Sequence, residues 1–403
     1  MHRNLEKTLG KYLKLPQILA IVGPRRSGKT TFLLHLKKRL PSSVFLSFED
    51  ERVLELFEKD LDSFAKLYLQ PNKTLIIDEF QYARSGGKSL KYLFDFYPEK
   101  KIIISGSSSL ELTVKVAKFL VGRILSFPLF PFSFDEFIRA KKPQLEDLIM
   151  KKKQFSEVLF KQVEPFLNEY LIYGGYPEVV LADDFTVKQT LLQNIYQLYF
   201  LKDVSGLAQL AEDWKLKNLT KIIAANIGGV VNYSQTANIA QIDFRTLKSY
   251  LNFLEKTFII FPVSPFFTNK NKEIVKNPKI YFVDLGLRNS LLNSFDPVAL
   301  RQEGGYLLEN FVAANLLRKG SELHFWRTKA KAEVDFVIID KNQTLPIEVK
   351  SHLVQAKISR SLKSFLEHYQ PAKAYVANLG FFGKKNIGKT TVNFTPIFHS
   401  FIA

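Results

Sequence analysis

A glycine-bounded loop with a lysine and a threonine is the first feature of the sequence that could do chemistry. Residues 23–30 fit G-x-x-x-x-G-K-T, between an apolar run at 18–22 and a stretch with helical spacing. A strand, such a loop and a helix form a phosphate site, because successive backbone N–H groups and a helix start attract anions. Lys29 would reach the β- and γ-phosphates, and Thr30 would bind Mg²⁺. The predicted nucleotide-binding residues are Gly23, Pro24, Arg25, Arg26, Ser27, Gly28, Lys29, Thr30 and Thr31.

The same letter pattern recurs at residues 383–390 and serves as a control. The residues after it alternate, are rich in β-branched side chains and include Pro396, which predicts a strand and not a helix. Without a helix N-terminus the anion site lacks half of its physical basis. We therefore expect a basic hairpin turn there and no second phosphate site.

An acidic pair follows a second apolar strand, TLIIDEF at 74–80. Asp78 would complete the Mg²⁺ shell, and Glu79 could polarise the attacking water, as in a Walker B segment. The alternative is an ordinary strand with an acidic end. The upstream loop at 23–30 favours the catalytic interpretation.

Two further positions could assist at the nucleotide. KIIISGSSS at 101–109 predicts a strand that ends beside Asp78, where Ser107, or else Ser105, could sense the γ-phosphate. Arg123 precedes the fifth apolar strand and could stabilise transition-state charge, in its own site or in a neighbouring subunit's. A plain strand-to-loop turn and a solvated arginine are the respective alternatives.

The elements that must position these residues are five apolar strands separated by helices within residues 1–130. They predict a three-layer α/β fold with a parallel sheet and the nucleotide at the strands' carboxyl ends. The strand between the loop strand and Asp78, together with Glu79, resembles the AAA+ division of P-loop ATPases. Residues 131–212 are helical in pattern, and resemble the lid that follows such a core or, alternatively, form a generic helical bundle.

Residues 213–290 predict helix, short helix, longer helix and β-hairpin, which is the order of a winged helix-turn-helix. Arg245 and Lys248 occupy the early turns of the third helix, where a recognition helix meets DNA. A winged helix used only for packing between domains is the competing interpretation. Asp284, in a strand that mimics Walker B without its glutamate, is better explained as a helix cap.

A second group of chemical residues lies within residues 291–403. Glu309 falls on a predicted helix, Asp335 on a hairpin strand, and Glu348 and Lys350 on the next strand, where their spacing puts them on one face. The three carboxylates are candidate ligands for Mg²⁺ or Mn²⁺, and Lys350 could position water or offset phosphate charge. The alternative is a strand with a solvated charged face.

Composition limits the class of protein. The 403 residues carry a net charge of +18, which favours a polyanionic partner such as DNA, although membrane contact or general composition also produces basic proteins. The absence of cysteine excludes disulfides and thiolate metal sites and fits a reducing interior. No apolar run reaches membrane-spanning length, so we expect a cytoplasmic protein without membrane association.

With these motifs in place, the chain resembles a prokaryotic family that joins an AAA+ ATPase core, a winged-helix segment and a C-terminal PD-(D/E)XK, or restriction-endonuclease-like, domain long treated as of unknown function. The resemblance implies ATP and Mg²⁺ binding. We expect an ATPase that acts on DNA, with nucleotide state gating a nuclease-like domain, or else a regulatory switch that recruits a protein partner. A homo-oligomer is compatible with both. The stretches that carry the resemblance are IVGPRRSGKTT, LIIDEFQYA, ISGSSS, LVGRI, PLFPFSFDEF, YGGYPE, YFVDLGLRN, ENFVAANLLR, FWRTKAKAEVDFVI and PIEVKS.

Overall fold

The computed structural model describes residues 2–107, 119–151, 156–199, 213–266, 277–340 and 343–399. The chain divides into two compact units. Unit 1 comprises Met1–Phe132 and the short segment Lys256–Ile259, and unit 2 comprises Ser133–Glu255 and Ile260–Ala403. Ser107 and Arg123 both fall within the described residues, whereas most of the predicted helix between them lies outside.

Unit 1 is built on a five-stranded parallel sheet. Its strands are β1 (Ile18–Val22), β2 (Ser43–Ser47), β3 (Thr74–Asp78), β4 (Lys101–Gly106) and β5 (Ile124–Pro128), and they lie in the order β2-β3-β4-β1-β5. Alternate residues of β1 enter two different apolar clusters, Ile18 and Ala20 in one and Leu19 and Ile21 in the other. The sheet is therefore covered on both faces, and the predicted three-layer α/β core is confirmed.

Helices cover this sheet on both sides. They are α1 (Asn4–Leu9), α2 (Lys29–Arg39), α3 (Glu51–Lys59), α4 (Leu61–Phe64) and α5 (Gly86–Phe96), with a π-helical turn at Ala65–Leu69 and a 3₁₀ turn at Phe80–Tyr82. Gly28 precedes α2 in the left-handed conformation. Strand β1, the loop and α2 thus have the order that the sequence predicts.

The helical half of unit 2 begins with Ser133, whose side chain forms a capping box with Glu136. The helix Glu157–Tyr173 ends at Gly174, which has φ 72°. Asp284 caps the helix Leu285–Leu291 by accepting from the Leu287 N–H at 3.0 Å. The helices are α6 (Phe134–Lys141), α7 (Pro143–Lys151), α8 (Glu157–Tyr173), α9 (Pro177–Leu181), α10 (Phe185–Tyr199), α11 (Asp213–Ala225), α12 (Tyr233–Ala240), α13 (Phe244–Lys256), α14 (Leu285–Leu291), α15 (Gly304–Arg318) and α16 (Arg360–Tyr369), with a 3₁₀ turn at Val298–Leu300.

The strands of unit 2 form one mixed eight-stranded sheet. They are β6 (Ile260–Pro265), β7 (Lys279–Phe282), β8 (Leu323–Arg327), β9 (Glu333–Asp340), β10 (Gln343–Val349), β11 (Lys373–Asn378), β12 (Gly383–Ile387) and β13 (Thr390–Pro396), in the order β12-β13-β11-β10-β9-β8-β6-β7. The β6–β7 pair, predicted as a wing, is continuous with the C-terminal strands through β8. The sheet therefore crosses the boundary that we predicted at residue 290.

The second glycine-lysine pattern is the predicted hairpin. Strands β12 and β13 pair antiparallel, and Gly388 turns between them at φ 57°. The element that follows it is strand β13 and not a helix, so this segment lacks the helix start that a phosphate site requires. Among the described residues, no helix combines the length and the apolar character that a membrane span needs.

Candidate nucleotide site and C-terminal charge cluster

The loop between β1 and α2 depends on its two glycines. A Cβ on Gly23 would lie 2.2 Å from the carbonyl oxygen of Leu129, so no larger residue fits there. Gly28 has φ 91°, which side chains rarely adopt. These restraints produce a tight turn of backbone before the N-terminus of α2, which is the arrangement that binds phosphate.

Lys29 follows this loop as the first residue of α2 and is buried. Its Nζ donates to the carbonyl oxygens of Gly23 and Pro24, each at 3.0 Å. Two neutral carbonyls partly solvate the ammonium and keep it within the turn. An incoming phosphate is a stronger acceptor for the same donor.

A series of hydrogen bonds between side-chain oxygen atoms links the start of α2 to the ends of the neighbouring strands. Thr30 Oγ1 donates to Asp78 Oδ2 at 2.6 Å, and the Ser105 hydroxyl donates to Asp78 Oδ1. The Glu79 N–H donates to Ser105 Oγ at 3.2 Å. The structure thus places Ser105, our second choice, on Asp78, whereas Ser107 is buried and its hydroxyl has no hydrogen-bond partner among the described residues.

Glu79 stands at the end of β3 in a conformation that is unusual for a residue with a side chain. Its φ of 54° is left-handed, and its carboxylate accepts from the Gln81 amide. Backbone strain of this kind concentrates at functional sites, where the surrounding structure holds it in place. At Glu79 the chain passes from β3 into the 3₁₀ turn Phe80–Tyr82, and the Gln81 amide holds the carboxylate.

The residues present fit a nucleotide with Mg²⁺. Thr30 and Asp78 offer a hydroxyl and a carboxylate side by side, which suit a hard cation that also takes phosphate oxygens and water. Ser27 is fully buried, and its hydroxyl has no hydrogen-bond partner among the described residues. Arg26 and Thr31 are exposed beside the loop, and Arg25 is half-buried.

Arg123 lies at the opposite end of the sheet. Its carbonyl accepts from Ile18 N–H at 2.8 Å, so Arg123 is level with the beginning of β1, whereas the nucleotide loop follows the end of β1. A strand of this length spans roughly 13 Å. The side chain instead pairs with Asp95 at 3.0 Å. From this position Arg123 cannot act on the nucleotide of its own chain. Of the two predicted roles, only action on the nucleotide of a neighbouring subunit stays a prediction.

In unit 2, a buried lysine lies among the carboxylates. Lys279 Nζ is 2.8 Å from Glu309 Oε1 and 2.6 Å from Glu333 Oε1, and the Tyr281 hydroxyl donates to the same Glu309 oxygen. Burial alone would lower the pKa of Lys279, but the carboxylates of Glu309, Glu333 and Asp335 outweigh burial and raise it. The ammonium therefore stays protonated, and it neutralises Glu309.

Asp335, Glu348 and Lys350 adjoin this lysine. Asp335 accepts from the Val349 N–H at 2.7 Å, and Lys350 Nζ is 2.9 Å from Glu348 Oε1. Burial, with the negative charges of Glu309 and Glu348, raises the pKa of Asp335 to about 8. Glu348 is 2% exposed, and its second oxygen has no hydrogen-bond partner among the described residues.

The predicted set of three carboxylate ligands is not assembled. Within the described ranges, no group of three or more acidic or histidine side chains is placed to hold a metal ion. Glu309 is engaged by Lys279 and Tyr281, and Asp335 and Glu348 are the other two carboxylates of the predicted set. We name Lys279, Tyr281, Glu333, Asp335, Glu309, Glu348 and Lys350 the charge cluster.

Sequence reasoning missed Lys279, Tyr281 and Glu333. Glu333 could have been found, because it is two residues from Asp335 on one strand and so shares its face. Lys279 and Tyr281 carried no such signal, since they lie on β7, which three other strands separate from β10 in the sheet, and are distant in sequence.

Arg245 and Lys248 are both exposed near the start of α13. They are three positions apart and thus lie on one side of the helix. Asp243 caps this helix by accepting from the N–H groups of Arg245 and Thr246. Lys248 Nζ lies 4.6 Å from the centroid of the Phe244 ring, which holds the ammonium near the helix start.

Comparison with known proteins divides the chain into three parts. Residues 15–138 match the AAA domain family, residues 164–297 match the domain of unknown function DUF8612, and residues 304–397 match the domain of unknown function DUF4143. The last match agrees with the resemblance to a family whose C-terminal domain is of unknown function. The nuclease-like character of that domain stays a prediction.

Similar proteins occur in archaea and bacteria. An uncharacterized protein of Methanocaldococcus jannaschii is 28% identical over 375 residues, covering 90% of this chain and 81% of its own. An uncharacterized protein of Haemophilus influenzae is 28% identical, covering 82% of each. A solved Walker-type ATPase of Pyrococcus abyssi is 17% identical and covers 72% of this chain and 95% of its own, with a TM-score of 0.45. The AAA match, the parallel sheet and the glycine-bounded loop together identify residues 15–138 as an AAA-type P-loop ATPase domain.

Proposed function

We propose that the protein binds and hydrolyses ATP with Mg²⁺ in unit 1, and that nucleotide state controls the action of unit 2 on DNA. The observation that carries the ATPase part is the hydrogen-bonded chain from Thr30 through Asp78 to Ser105. It joins the phosphate loop to the carboxyl ends of two neighbouring strands, where a nucleotide binds in such sheets.

Each residue has a role that follows from its position. The loop N–H groups and Lys29 bind the phosphates, and Thr30 and Asp78 hold the Mg²⁺ that neutralises them. Glu79 orients and polarises the attacking water, and its bond to Gln81 fixes its direction. Ser105 keeps Asp78 in place, and Ser107 offers a buried hydroxyl for the nucleotide.

ATP hydrolysis by purified wild type, Lys29→Ala and Lys38→Ala tests this assignment. Lys38 is a matched control, because it is an exposed lysine on the same helix. We expect Lys29→Ala to lower turnover by about 100-fold or more, as for loss of a donor to developing charge, and Lys38→Ala to match wild type. Equal hydrolysis by Lys29→Ala and wild type would refute the ATPase assignment.

Three features of charge support DNA as the partner of unit 2. The chain carries a net charge of +18, and Arg245 and Lys248 are exposed together on α13. Lys350 is part-exposed next to Asp335 and Glu348, whose types and spacing suit phosphodiester chemistry with Mg²⁺ or Mn²⁺. The orphaned oxygen of Glu348 favours a further ligand at this place.

Binding and cleavage of plasmid and single-stranded DNA, with and without ATP, test the DNA part. We expect Arg245→Ala combined with Lys248→Ala to weaken binding and reduce its salt dependence, because two phosphate contacts are lost. Asp335→Asn should abolish any metal-dependent cleavage, with Glu367→Gln as the control, because the Glu367 side chain on α16 is exposed. DNA binding unchanged in the double variant would refute the role of α13.

The second candidate function is an ATP-driven switch whose unit 2 recruits a protein partner and does not cleave DNA. The observation in its favour is Lys279, which neutralises Glu309 and removes it from metal binding. ATP turnover insensitive to DNA, with no cleavage in Mg²⁺ or Mn²⁺, would favour this candidate.

A further inference from the structure

Arg3 is a buried arginine that contacts the phosphate loop from the preceding segment of chain. It is 5% exposed. Its Nη1 donates to the carbonyl oxygen of Ser27 at 3.0 Å, and its Nη2 donates to the carbonyl oxygen of Phe130 at 2.6 Å. The guanidinium carbon lies 4.8 Å from the centroid of the Phe132 ring. One side chain thus joins the loop to the segment that follows β5.

The bond to Ser27 determines how one peptide of the loop is oriented. A trans peptide points its C=O and N–H in opposite directions, and the described chain contains no cis peptide bond. Holding the Ser27 carbonyl towards Arg3 therefore directs the Gly28 N–H away from Arg3. Gly28 has no Cβ and thus more conformational freedom than its neighbours, so an external restraint has most effect there.

Helix α1 also contacts α2, through the side chain of Glu6. Glu6 is buried, and its Oε2 accepts from Arg39 Nη1 at 2.6 Å, while His35 Nε2 lies 3.4 Å from its Oε1. Arg39 and His35 belong to the helix that begins with Lys29. The segment from Arg3 to Glu6 therefore connects the loop before α2 with the last turns of α2.

The chemistry of arginine matches this position. A planar guanidinium presents several donors in a fixed fork, so it can hold two carbonyls from different segments at once, which a single ammonium does less well. Burying a charge costs free energy unless the charged group is hydrogen-bonded. An apolar side chain could pack against Phe132 equally well, so the ring contact by itself does not explain an arginine at this position.

We propose that Arg3 is a positioning residue for the phosphate loop, which it holds ready for nucleotide before binding. This inference rests on the proposed function of unit 1. Because Arg3 donates to the backbone carbonyls of Ser27 and Phe130 and so orients the loop, its loss should weaken ATP and ADP binding and leave the hydrolytic step nearly unchanged. Preorganisation acts by reducing the ordering that binding would otherwise require.

The test compares wild type, Arg3→Ala, Arg3→Lys and the control Arg52→Ala. Arg52 is also in unit 1, but its side chain is 91% exposed and pairs with Asp50. Dissociation constants for ATP and ADP, KM and kcat are measured for each. We expect Arg3→Ala to raise KM and both dissociation constants about tenfold, with kcat within about twofold of wild type. Arg3→Lys should be intermediate, and Arg52→Ala should match wild type.

The split between KM and kcat separates positioning from a merely structural role. A structural role would reduce the folded fraction, which lowers the apparent kcat at unchanged KM. If Arg3→Ala does not fold, the same comparison of KM with kcat is made on Arg3→Lys. If a folded Arg3 variant has the same KM and nucleotide affinity as wild type, this inference is wrong, but the proposed function is not affected. A wild type that binds no ATP overturns both this inference and the proposed function.

Discussion

The phosphate loop and the charge cluster each hold a buried lysine, but the two lysines have different acceptors. Nζ of Lys29 donates to the neutral carbonyls of Gly23 and Pro24, whereas Nζ of Lys279 lies within 2.8 Å of carboxylate oxygens on Glu309 and Glu333. A phosphate competes well with neutral carbonyls and poorly with buried carboxylates, because charge-assisted bonds are stronger. The acceptors of a lysine, more than its presence, indicate whether it is available to a ligand.

The acids of the two centres differ in the same way. Asp78 accepts hydrogen bonds from two neutral hydroxyls, those of Thr30 and Ser105. Glu309 is engaged by an ammonium and a phenol. The phosphate loop has donors that a ligand can take over. In the charge cluster, the carboxylate of Glu309 is already neutralised by the ammonium of Lys279. Four predictions test this difference, from the largest expected effect to the smallest.

Replacing Lys279 should give the largest effect on stability. In Lys279→Met the carboxylates of Glu309 and Glu333 lose their buried counter-charge, and breaking such a pair costs about 3–5 kcal/mol. Denaturant unfolding measures the loss, and Glu309→Gln in the same chain should restore part of it. An unchanged unfolding midpoint in Lys279→Met would show that Lys279 does not neutralise the cluster.

The pH dependence of stability should depend on Asp335. Its pKa is about 8 in the folded chain against an ordinary 3.8, so between these values the folded chain holds a proton that the unfolded chain has lost. Stability therefore falls as pH rises from about 4 to about 8, by at most about 1.4 kcal/mol per pH unit from this group.

Asp335→Asn cannot lose this proton, so its stability relative to wild type should increase across that window. Urea unfolding at several pH values, in a chelator that keeps the cluster free of metal, measures the difference. Parallel curves for the variant and wild type would mean that Asp335 is ionised in the fold at neutral pH.

The two serines after β4 should differ in their effect on hydrolysis. Ser105→Ala removes a hydroxyl that donates to Asp78, and we expect kcat to fall about tenfold, as for one hydrogen bond to a charged group. Ser107→Ala should cost less, because its hydroxyl has no partner among the described residues. Steady-state kinetics at saturating ATP decide the order, and the reverse order would favour the sequence-based first choice.

Arg123→Ala should have the smallest effect. Its pair with Asp95 is part-exposed, and such pairs contribute about 1 kcal/mol or less. ATP affinity should be unchanged, because Arg123 lies at the other end of the sheet from the loop. Nucleotide titration and thermal unfolding measure both quantities. A fall in turnover that depends on protein concentration would instead support action in a neighbouring subunit.

The sequence by itself determined the glycine-bounded loop and much of the fold around it. Residues 23–30 are one continuous segment that comprises the loop and the start of α2, and apolar runs such as TLII at 74–77 predict the strands. Local chemistry is enough here, because loop, helix start and Lys29 are adjacent in the chain. The failure of the second pattern at 383–390 to form such a site was predictable for the same reason.

Only the tertiary structure decided which distant side chains meet. Sheet order puts Ser105 on Asp78 and moves Arg123 to the far end of β1, and neither follows from spacing. The same applies to Arg3 on Ser27 and to Lys279 between Glu309 and Glu333, since these residues come from separate segments. Periodicity specifies the face of a strand or helix on which a residue lies, but only the packing of those elements specifies what that residue contacts.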